Sequence, residues 1–329
     1  MKKFMNSTDA MLRESLSGFA RCHRDIVTID DDFRFIRRKQ VKPGKVALIS
    51  GGGSGHEPLH TGFVGDGMLD AACPGQVFTS PTPDQMLAAA EAVETGAGVL
   101  FIVKNYAGDV MNFSLAMEMC DANADTLIID DDVAVEKSTQ GGGRRGVAGT
   151  LVVEKMLGAA AEAGADLAAL KRLGASVNGV TRSMGVALTS CTVPAVGKPT
   201  FDIADDDMEI GVGIHGEPGR RRAALMRADE MAEELIQSIV QDLGLRTGSE
   251  VLLMVNGLGA TPLLELHLMY DAAWRRLAAR GLVVGRSIVG NYVTSLDMAG
   301  CSITVTVLND ELTALWDAPV HTAALRWRL

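Results

Sequence analysis

The strongest constraint on how this chain folds is a glycine-rich stretch, Ile49-Ser50-Gly51-Gly52-Gly53-Ser54-Gly55-His56-Glu57-Pro58. It follows an apolar run, residues 46–49, whose length and β-branched residues are typical of a buried strand. We therefore expect the glycines to form the turn that ends this strand, because glycine permits positive φ and lets a small ligand approach main-chain N–H groups. Ser54, His56 and Glu57 then lie at a strand end, where open α/β sheets bind ligands.

Two interpretations of this stretch remain open from local sequence. A glycine-rich turn also serves tight packing alone, and a histidine beside it is often a hydrogen-bonded structural residue. Neither standard nucleotide signature fits, because the glycines lead into His-Glu-Pro and no stretch reads as a Walker A loop. The stretch therefore indicates a site for a small polar molecule rather than for a nucleotide.

A second polar cluster follows the next apolar strand, Gly98 to Val103. Lys104 and Asp109 stand just beyond that strand, and an apolar helical pattern begins after Asp109. Taken alone, Asp109 is typical of a helix N-cap and Lys104 of a surface charge. Their position at a strand end makes both of them candidates for ligand binding.

The order of the elements predicts an α/β fold in two domains. In residues 1–184 the predicted strands alternate with helices, including a helix that opens at Thr82-Pro83-Asp84, a strand from Thr126 to Ile129 and a helix from Val147 to Ala163. This alternation predicts a parallel, doubly wound sheet. Residues 185–329 are predicted to form a mixed α+β domain. Its strands are expected near 186–189, 210–214, 251–255, 288–289 and 302–307, one helix over 223–243, and a second helix that follows the loop 256–262 and ends near residue 280.

An acidic triplet, Asp130-Asp131-Asp132, ends the third strand of the first domain. Three carboxylates there would suit Mg²⁺, which prefers oxygen ligands, but they would equally be solvated or pair with Arg144 and Arg145. We favour pairing or capping, because the chain has no phosphate-binding loop. The two arginines belong to a glycine-rich loop, Gly141–Gly146, which we predict to be mobile.

A second Gly/His/Glu/Pro element, Gly211-Val212-Gly213-Ile214-His215-Gly216-Glu217-Pro218-Gly219, echoes the first one at the end of another predicted strand. The simpler interpretation of His215 is a turn histidine bonded to the backbone. Two such elements in two domains favour the hypothesis that both line one interdomain cleft. The other histidines have no such setting, and we interpret them as structural: His23, His60, His267 and His321.

Composition excludes several classes of protein. The 329 residues carry a formal net charge of −10 and a pI near 5.1, which argues against nucleic acid and anionic membranes as partners. The five cysteines are far apart and form no CxxC pair, so neither a disulfide framework nor a zinc site is indicated. No signal peptide and no apolar run of membrane-spanning length is evident. We therefore predict a cytoplasmic protein.

Several motifs in order give the chain a resemblance to the substrate-binding (K) subunit of dihydroxyacetone kinase. The match covers nearly the whole chain, and the motifs that carry it are Gly51–Pro58, Phe78-Thr79-Ser80-Pro81-Thr82-Pro83, Lys104-Asn105-Tyr106-Ala107-Gly108-Asp109, Gly213–Gly219, Asn256-Gly257-Leu258-Gly259-Ala260-Thr261-Pro262 and Thr294-Ser295-Leu296-Asp297-Met298.

The resemblance implies a role for each candidate residue. A neutral imidazole nitrogen of His215 would add to the ketone carbon of dihydroxyacetone and form a hemiaminal, which selects carbonyl compounds over glycerol. His56 or Asp109 would take the proton of the hydroxyl that attacks phosphorus. The residues implied in holding the substrate are Gly53, Ser54, Gly55, His56, Lys104, Asp109 and His215.

The resemblance also implies partners. The chain would carry no cofactor or metal, because a separate nucleotide-binding (L) subunit would present the phosphoryl group, with ATP or a phosphotransferase-system protein as its source. We expect a homodimer. Two alternatives stay open: a kinase subunit for another short ketose such as erythrulose, and a regulator that binds a carbonyl ligand and docks a transcription factor without turnover.

Overall fold

The computed structural model describes residues 2–135, 142–217 and 219–327, so residue 141 of the predicted mobile loop and Pro218 of the second motif lie outside the described part. The chain separates into two compact units. The first comprises the described parts of Met1–Ile129, Leu151–Ser176 and Ala314–Leu329, and the second comprises those of Asp130–Thr150 and Val177–Thr313. The units thus follow the chain in five segments, whereas the sequence predicts one boundary between residues 184 and 185.

Helices and strands alternate along most of the described chain. The helices are α1 (Thr8–Cys22), α2 (Pro83–Val93), α3 (Ala107–Met119), α4 (Gly149–Glu162), α5 (Leu167–Gly179), α6 (Ala228–Leu243), α7 (Leu263–Ala279) and α8 (Asp310–Asp317). The strands are β1 (Val27–Ile29), β2 (Ile36–Arg38), β3 (Ala47–Ser54), β4 (Gly65–Asp66), β5 (Ala71–Val77), β6 (Val99–Lys104), β7 (Ala124–Ile129), β8 (Thr181–Ala187), β9 (Asp207–Ile210), β10 (Arg221–Ala224), β11 (Glu250–Gly257), β12 (Val283–Gly290), β13 (Gly300–Val307), β14 (Val320–Thr322) and β15 (Arg326–Trp327).

The first unit is built on a six-stranded sheet with the order β1-β2-β5-β3-β6-β7. Strands β5, β3, β6 and β7 are parallel to one another, and β2 and β1 continue the sheet in antiparallel fashion. The parallel sheet predicted for this half is therefore confirmed. A small second sheet, β15-β14-β4, explains why the C-terminal segment belongs to this unit, because β14 pairs with β4.

Helices cover both faces of the parallel strands, as a doubly wound fold requires. On one face, Ile49 and Phe101 of the sheet pack with Met86 of α2 and Phe113 of α3. On the other face, Gly174 of α5 lies so close to the sheet that a Cβ there would be 2.3 Å from Leu127. Since successive strand residues point to opposite faces, residues 48, 50, 100, 102 and 104 face away from α2 and α3.

The second unit contains a mixed sheet with the order β10-β9-β8-β13-β11-β12. All neighbours are antiparallel except β11 and β12, which are parallel. Helices α6 and α7 bury Leu235, Ile236 and Ala272 in one core with Val251 and Ile303 of the sheet. The mixed α+β class predicted for the second half is confirmed.

Several predicted element boundaries are wrong. The glycines do not end the first strand, because β3 runs through Gly51–Gly53 to Ser54 and pairs with Cys73, Pro74 and Gly75 of β5. Helix α6 begins at Ala228, and the preceding Arg221–Ala224 forms β10, which pairs with β9. Strand β9 ends at Ile210 rather than at 214. The sequence analysis missed α5 and β5 altogether.

Candidate active site

Lys104 is the last residue of β6 and is completely buried, with 0 % of its surface exposed. Its Nζ donates to the Gly51 carbonyl oxygen at 3.2 Å and lies 3.6 Å from Asp109 Oδ2. The interpretation of Lys104 as a surface charge is therefore wrong. An ammonium group taken fully out of water costs several kcal/mol unless it is paired and hydrogen-bonded, so this position requires the partners that surround it.

The glycines of β3 make room for this lysine and for the neighbouring loop. A Cβ on Gly52 would lie 2.2 Å from Lys104 Nζ, and a Cβ on Gly53 would lie 2.5 Å from the Thr79 amide nitrogen. Both distances are far shorter than real Cβ contacts. Gly53 is needed for close approach, because the atoms that face it belong to the backbone, whereas Gly52 faces the tip of the Lys104 side chain. The positive φ of this stretch is found at Gly55, where φ is 105°.

Asp109 belongs to the first turn of α3, whose N-cap is Tyr106. The N-cap interpretation of Asp109 is therefore wrong: the first helical hydrogen bond runs from Val110 N to Tyr106 O at 2.8 Å, three residues earlier than predicted. The Asp109 carboxyl is 4 % exposed and lies near the positive end of the helix dipole as well as beside Lys104.

His60 and Glu154 complete the cluster. From the sequence, His60 is interpreted as structural, and no pattern singles out Glu154. His60 Nε2 lies 2.9 Å from Lys104 Nζ, and His60 Nδ1 lies 2.6 Å from Glu154 Oε1 on α4. Burial raises the pKa of the Glu154 carboxyl to about 8, against the opposing effect of the Lys104 charge. Burial and then the Lys104 charge hold the pKa of His60 well below its usual value, so the imidazole is neutral.

His56 lies in the loop after β3 and is 1 % exposed. Its ring stacks on Phe78, with centroids 5.1 Å apart and an interplanar angle of 18°. Phe78 has a φ of 56°, a left-handed conformation that costs about 1–2 kcal/mol in a residue with a Cβ, and its amide donates to Ser54 O at 2.9 Å. Ser54 Oγ donates to Gly75 O at 2.7 Å, so the loop is held against β5.

A small cavity of about 50 Å³ lies beside this cluster in the first unit. Gly52, Gly53, Ser54 and His60 contribute to its wall, and apolar side chains of α1 such as Leu16 close another side. The first unit therefore contains six of the residues predicted for the site, Gly53, Ser54, Gly55, His56, Lys104 and Asp109, together with His60 and Glu154. That these residues hold the substrate stays a prediction.

His215 belongs to the second unit, in the turn that follows β9, and its side chain is 21 % exposed. Its Nδ1 faces Glu217 Oε2 at 3.9 Å, and Glu217 Oε1 lies 3.4 Å from Arg145. A Cβ on Gly213 would lie 2.0 Å from Glu217 Oε1, so a larger residue here would displace the Glu217 side chain. The hypothesis that the two histidine elements line one interdomain cleft stays a prediction.

The acidic triplet is used for pairing and capping, as favoured from the sequence. Asp132 pairs with Arg145 at 2.7 Å, and Asp131 accepts hydrogen bonds from the amides of Val147 and Gly149 at the start of α4. Burial raises the pKa of Asp132 to about 6, although Arg145 opposes the shift. Arg144 pairs instead with Asp242 of α6.

Within residues 2–135, 142–217 and 219–327, no group of three or more His, Cys, Asp or Glu side chains is arranged to hold a metal ion. In the same ranges, no helix has both the length and the apolar character needed to cross a bilayer.

The fold and site together define an α/β protein of two units. Its first unit holds a buried lysine–aspartate pair and two histidines beside the carboxyl ends of parallel strands. Proteins of this class bind small polar ligands at that position. A family model described as the Dak1 domain matches residues 17–324, so the chain belongs to the Dak1 domain family. The resemblance predicted from the motifs is confirmed.

Three relatives show how close the similarity is. The chain is 49 % identical to the PTS-dependent dihydroxyacetone kinase 1, dihydroxyacetone-binding subunit DhaK of Listeria innocua serovar 6a, over 94 % of this chain and 95 % of the relative. It is 45 % identical to the PEP-dependent dihydroxyacetone kinase subunit DhaK of Escherichia coli K12, over 99 % of each. The solved structure of the dihydroxyacetone kinase operon co-activator DhaQ matches with a TM-score of 0.90 and 33 % identity, over 94 % of this chain and 97 % of that one.

Proposed function

We propose that this chain is the dihydroxyacetone-binding subunit of a dihydroxyacetone kinase, which transfers a phosphoryl group to a hydroxyl of the ketose. The observation that carries the proposal is the buried pair of Lys104 and Asp109 at the end of β6, 3.6 Å apart. The chain that holds this pair is 49 % identical to a protein named as such a subunit.

The proposed chemistry begins at His215. An imidazole nitrogen attacks the carbonyl carbon of dihydroxyacetone and a C–N bond forms. The π electron pair of the C=O bond moves to oxygen, which takes up one proton from water, while the imidazolium gives its remaining N–H proton back to water, so that the hemiaminal is neutral. Because Nδ1 faces Glu217, we assign the attack to Nε2, with the Nδ1 proton directed toward the carboxylate. An alcohol such as glycerol has no electrophilic carbon, so this step selects carbonyl compounds.

The first unit then binds the hydroxyl groups of the ketose. In this proposal Lys104, Gly53 and Ser54, with the backbone at Gly55, bind the hydroxyls, and His56 or Asp109 takes the proton from the hydroxyl that attacks phosphorus. Acid–base assistance of this kind contributes about 10²- to 10⁴-fold to a rate. The nucleotide and Mg²⁺ are proposed to belong to a separate L subunit that presents the phosphoryl group.

The test uses dihydroxyacetone labelled with ¹³C at the carbonyl carbon. A protein-bound tetrahedral carbon signal is expected with the wild-type chain and with His267→Ala, a matched control because His267 is an exposed histidine on α7. His215→Ala is expected to abolish the signal. A bound tetrahedral signal that survives in His215→Ala would contradict the assignment of the hemiaminal to His215, and no such signal in any sample would contradict covalent binding of the ketose.

A second candidate function is a regulator that binds the ketose without turnover, and the match to a co-activator structure favours it. Reconstitution separates the two functions. The chain is mixed with an L subunit that is supplied in one arm with ATP and in the other with a phosphotransferase-system donor, and each arm receives dihydroxyacetone or erythrulose. Phosphorylation in either arm supports the kinase and identifies donor and substrate, whereas no phosphorylation in either arm favours the regulator.

Light scattering of the same sample tests the proposed homodimer.

A further inference from the structure

Behind Lys104 lies a chain of buried polar groups that the proposed chemistry does not use. It runs from Lys104 Nζ to His60 Nε2 at 2.9 Å and from His60 Nδ1 to Glu154 Oε1 at 2.6 Å. Lys104 and Glu154 are 0 % exposed and His60 is 5 % exposed, so water does not compete for these contacts. His60 and Glu154 are separated by 94 positions in the sequence, and no motif links them.

Donor and acceptor chemistry determines which atoms carry the protons in this chain. An ammonium group has three N–H donors and no acceptor, so His60 Nε2 must accept from Lys104. A neutral imidazole with an unprotonated Nε2 carries its proton on Nδ1, which then donates to Glu154 Oε1. Oε1 accepts equally well whether the carboxyl is ionised or carries its proton on Oε2.

We propose that Glu154 and His60 are positioning residues: the Glu154 oxygen holds His60 in its Nδ1–H tautomer, and His60 Nε2 holds the Lys104 ammonium where it meets the ligand. A histidine tautomer is set by the hydrogen bond that its other nitrogen makes. The identity of the ligand rests on the proposed function, whereas the tautomer is a property of the chain alone.

The charges around His60 are consistent with a neutral ring. They come from four elements: Lys104 of β6, Asp109 of α3, Glu154 of α4 and His56 in the loop that also carries His60. The Asp109 carboxylate, with Oδ2 3.6 Å from Lys104 Nζ, balances the charge of that lysine. A protonated His60 would lose its acceptor and face Lys104 as a like charge, which is unfavourable at this distance in a buried site.

The first measurement is the ¹⁵N spectrum of the histidine rings in the full chain, with the His60 signals assigned by their absence in His60→Phe. We expect Nδ1 of His60 in the protonated, pyrrole-like range and Nε2 in the unprotonated, pyridine-like range. Glu154→Gln, whose amide oxygen still accepts, is expected to keep this pattern, and Glu154→Leu to lose it. An imidazolium or an Nε2–H tautomer in the wild type would overturn the proposal, as would a Glu154→Gln spectrum that matches the Glu154→Leu spectrum.

The second measurement is the affinity for ¹³C-labelled dihydroxyacetone. Glu154→Leu and His60→Phe are each expected to weaken binding by about 10-fold, which corresponds to about 1.4 kcal/mol, while Glu154→Gln stays within about twofold of the wild type. Having two variants keeps the test decisive if one of them does not fold. Wild-type affinity in a folded Glu154→Leu or His60→Phe variant would overturn the positioning role. If the wild type itself binds no ketose, the proposed function fails, and the tautomer measurement still decides the proposal.

Discussion

Replacing Gly52 by alanine is expected to displace the Lys104 ammonium without unfolding the protein. The new Cβ would lie 2.2 Å from Nζ, and ordinary contact begins at 3.4 Å, so Nζ must move by about 1.2 Å, the difference between the two. Cβ also meets Cε at 3.4 Å, which is already ordinary contact, so the clash is confined to the tip of a flexible side chain.

A displacement of that size breaks or weakens at least one contact of Nζ, either with His60 Nε2 at 2.9 Å or with the Gly51 carbonyl oxygen at 3.2 Å. A hydrogen bond to a charged group contributes about 1.5–3 kcal/mol, which corresponds to about 10- to 100-fold in affinity. Overpacking by one methyl group is expected to lower the free energy of unfolding by only about 1–3 kcal/mol. Because native proteins are typically stable by about 5–15 kcal/mol, the variant is expected to stay folded while its affinity falls.

The assay measures kcat/KM for dihydroxyacetone with the L subunit present, beside thermal unfolding of the same samples. Gly18→Ala is the matched control, because Gly18 lies in α1 with nothing within 4 Å of an added Cβ. It is expected to leave kcat/KM unchanged and to stabilise the helix by about 0.5–1 kcal/mol. A Gly52→Ala protein whose kcat/KM stays within twofold of the wild type would refute the reasoning that the position of Lys104 limits binding.

Three further predictions concern buried titratable groups. Glu154 has a pKa of about 8 in the folded chain against 4.5 in the unfolded one. Because the folded state holds the proton more tightly, the wild type loses stability as the pH rises from about 4.5 to about 8. Glu154→Gln does not titrate, so denaturant titrations should show it gaining stability relative to the wild type across that window, by up to about 1.4 kcal/mol per pH unit. Asp109→Asn should lower kcat by about 10²-fold or more. Asp84→Asn is the control, because Asp84 also lies in the first turn of a helix, α2, but is exposed, and it should leave kcat unchanged. Equal kcat values for the two variants would show that Asp109 takes no part in the chemistry. Burial raises the pKa of the Cys301 thiol to about 12. A thiol reagent at pH 8 should therefore label the exposed Cys22 at once and Cys301 only when the protein unfolds. Prompt labelling of both cysteines would contradict the burial of Cys301.

Much of the fold and part of the site follow from local pattern. Continuous apolar runs predicted β3, β6 and β7, and the alternation with helices predicted a parallel sheet. Strand β5 was not predicted, because its Cys73-Pro74-Gly75 is typical of a turn. Only the pairing of these residues with Gly51–Gly53 of β3 shows that they belong to a strand. Helix α5 was not predicted either. The structural reason for the glycines of β3 is likewise tertiary: each one faces an atom from another segment of the chain.

Local sequence pattern predicts which chemistry is available and where along the chain it lies. Lys104 and Asp109 follow a strand, so they come near the open end of a sheet, and His56 follows the glycines of another strand. Which of these groups touch depends on the tertiary fold. His60 carried no local signal, and Glu154 lies within an apolar helix, yet burial forces both to find partners, and the partner of each is far away in sequence. A buried polar group must form hydrogen bonds wherever the fold places it. The hydrophobic periodicity of a sequence predicts which residues are buried, but it does not predict which residues they bond to.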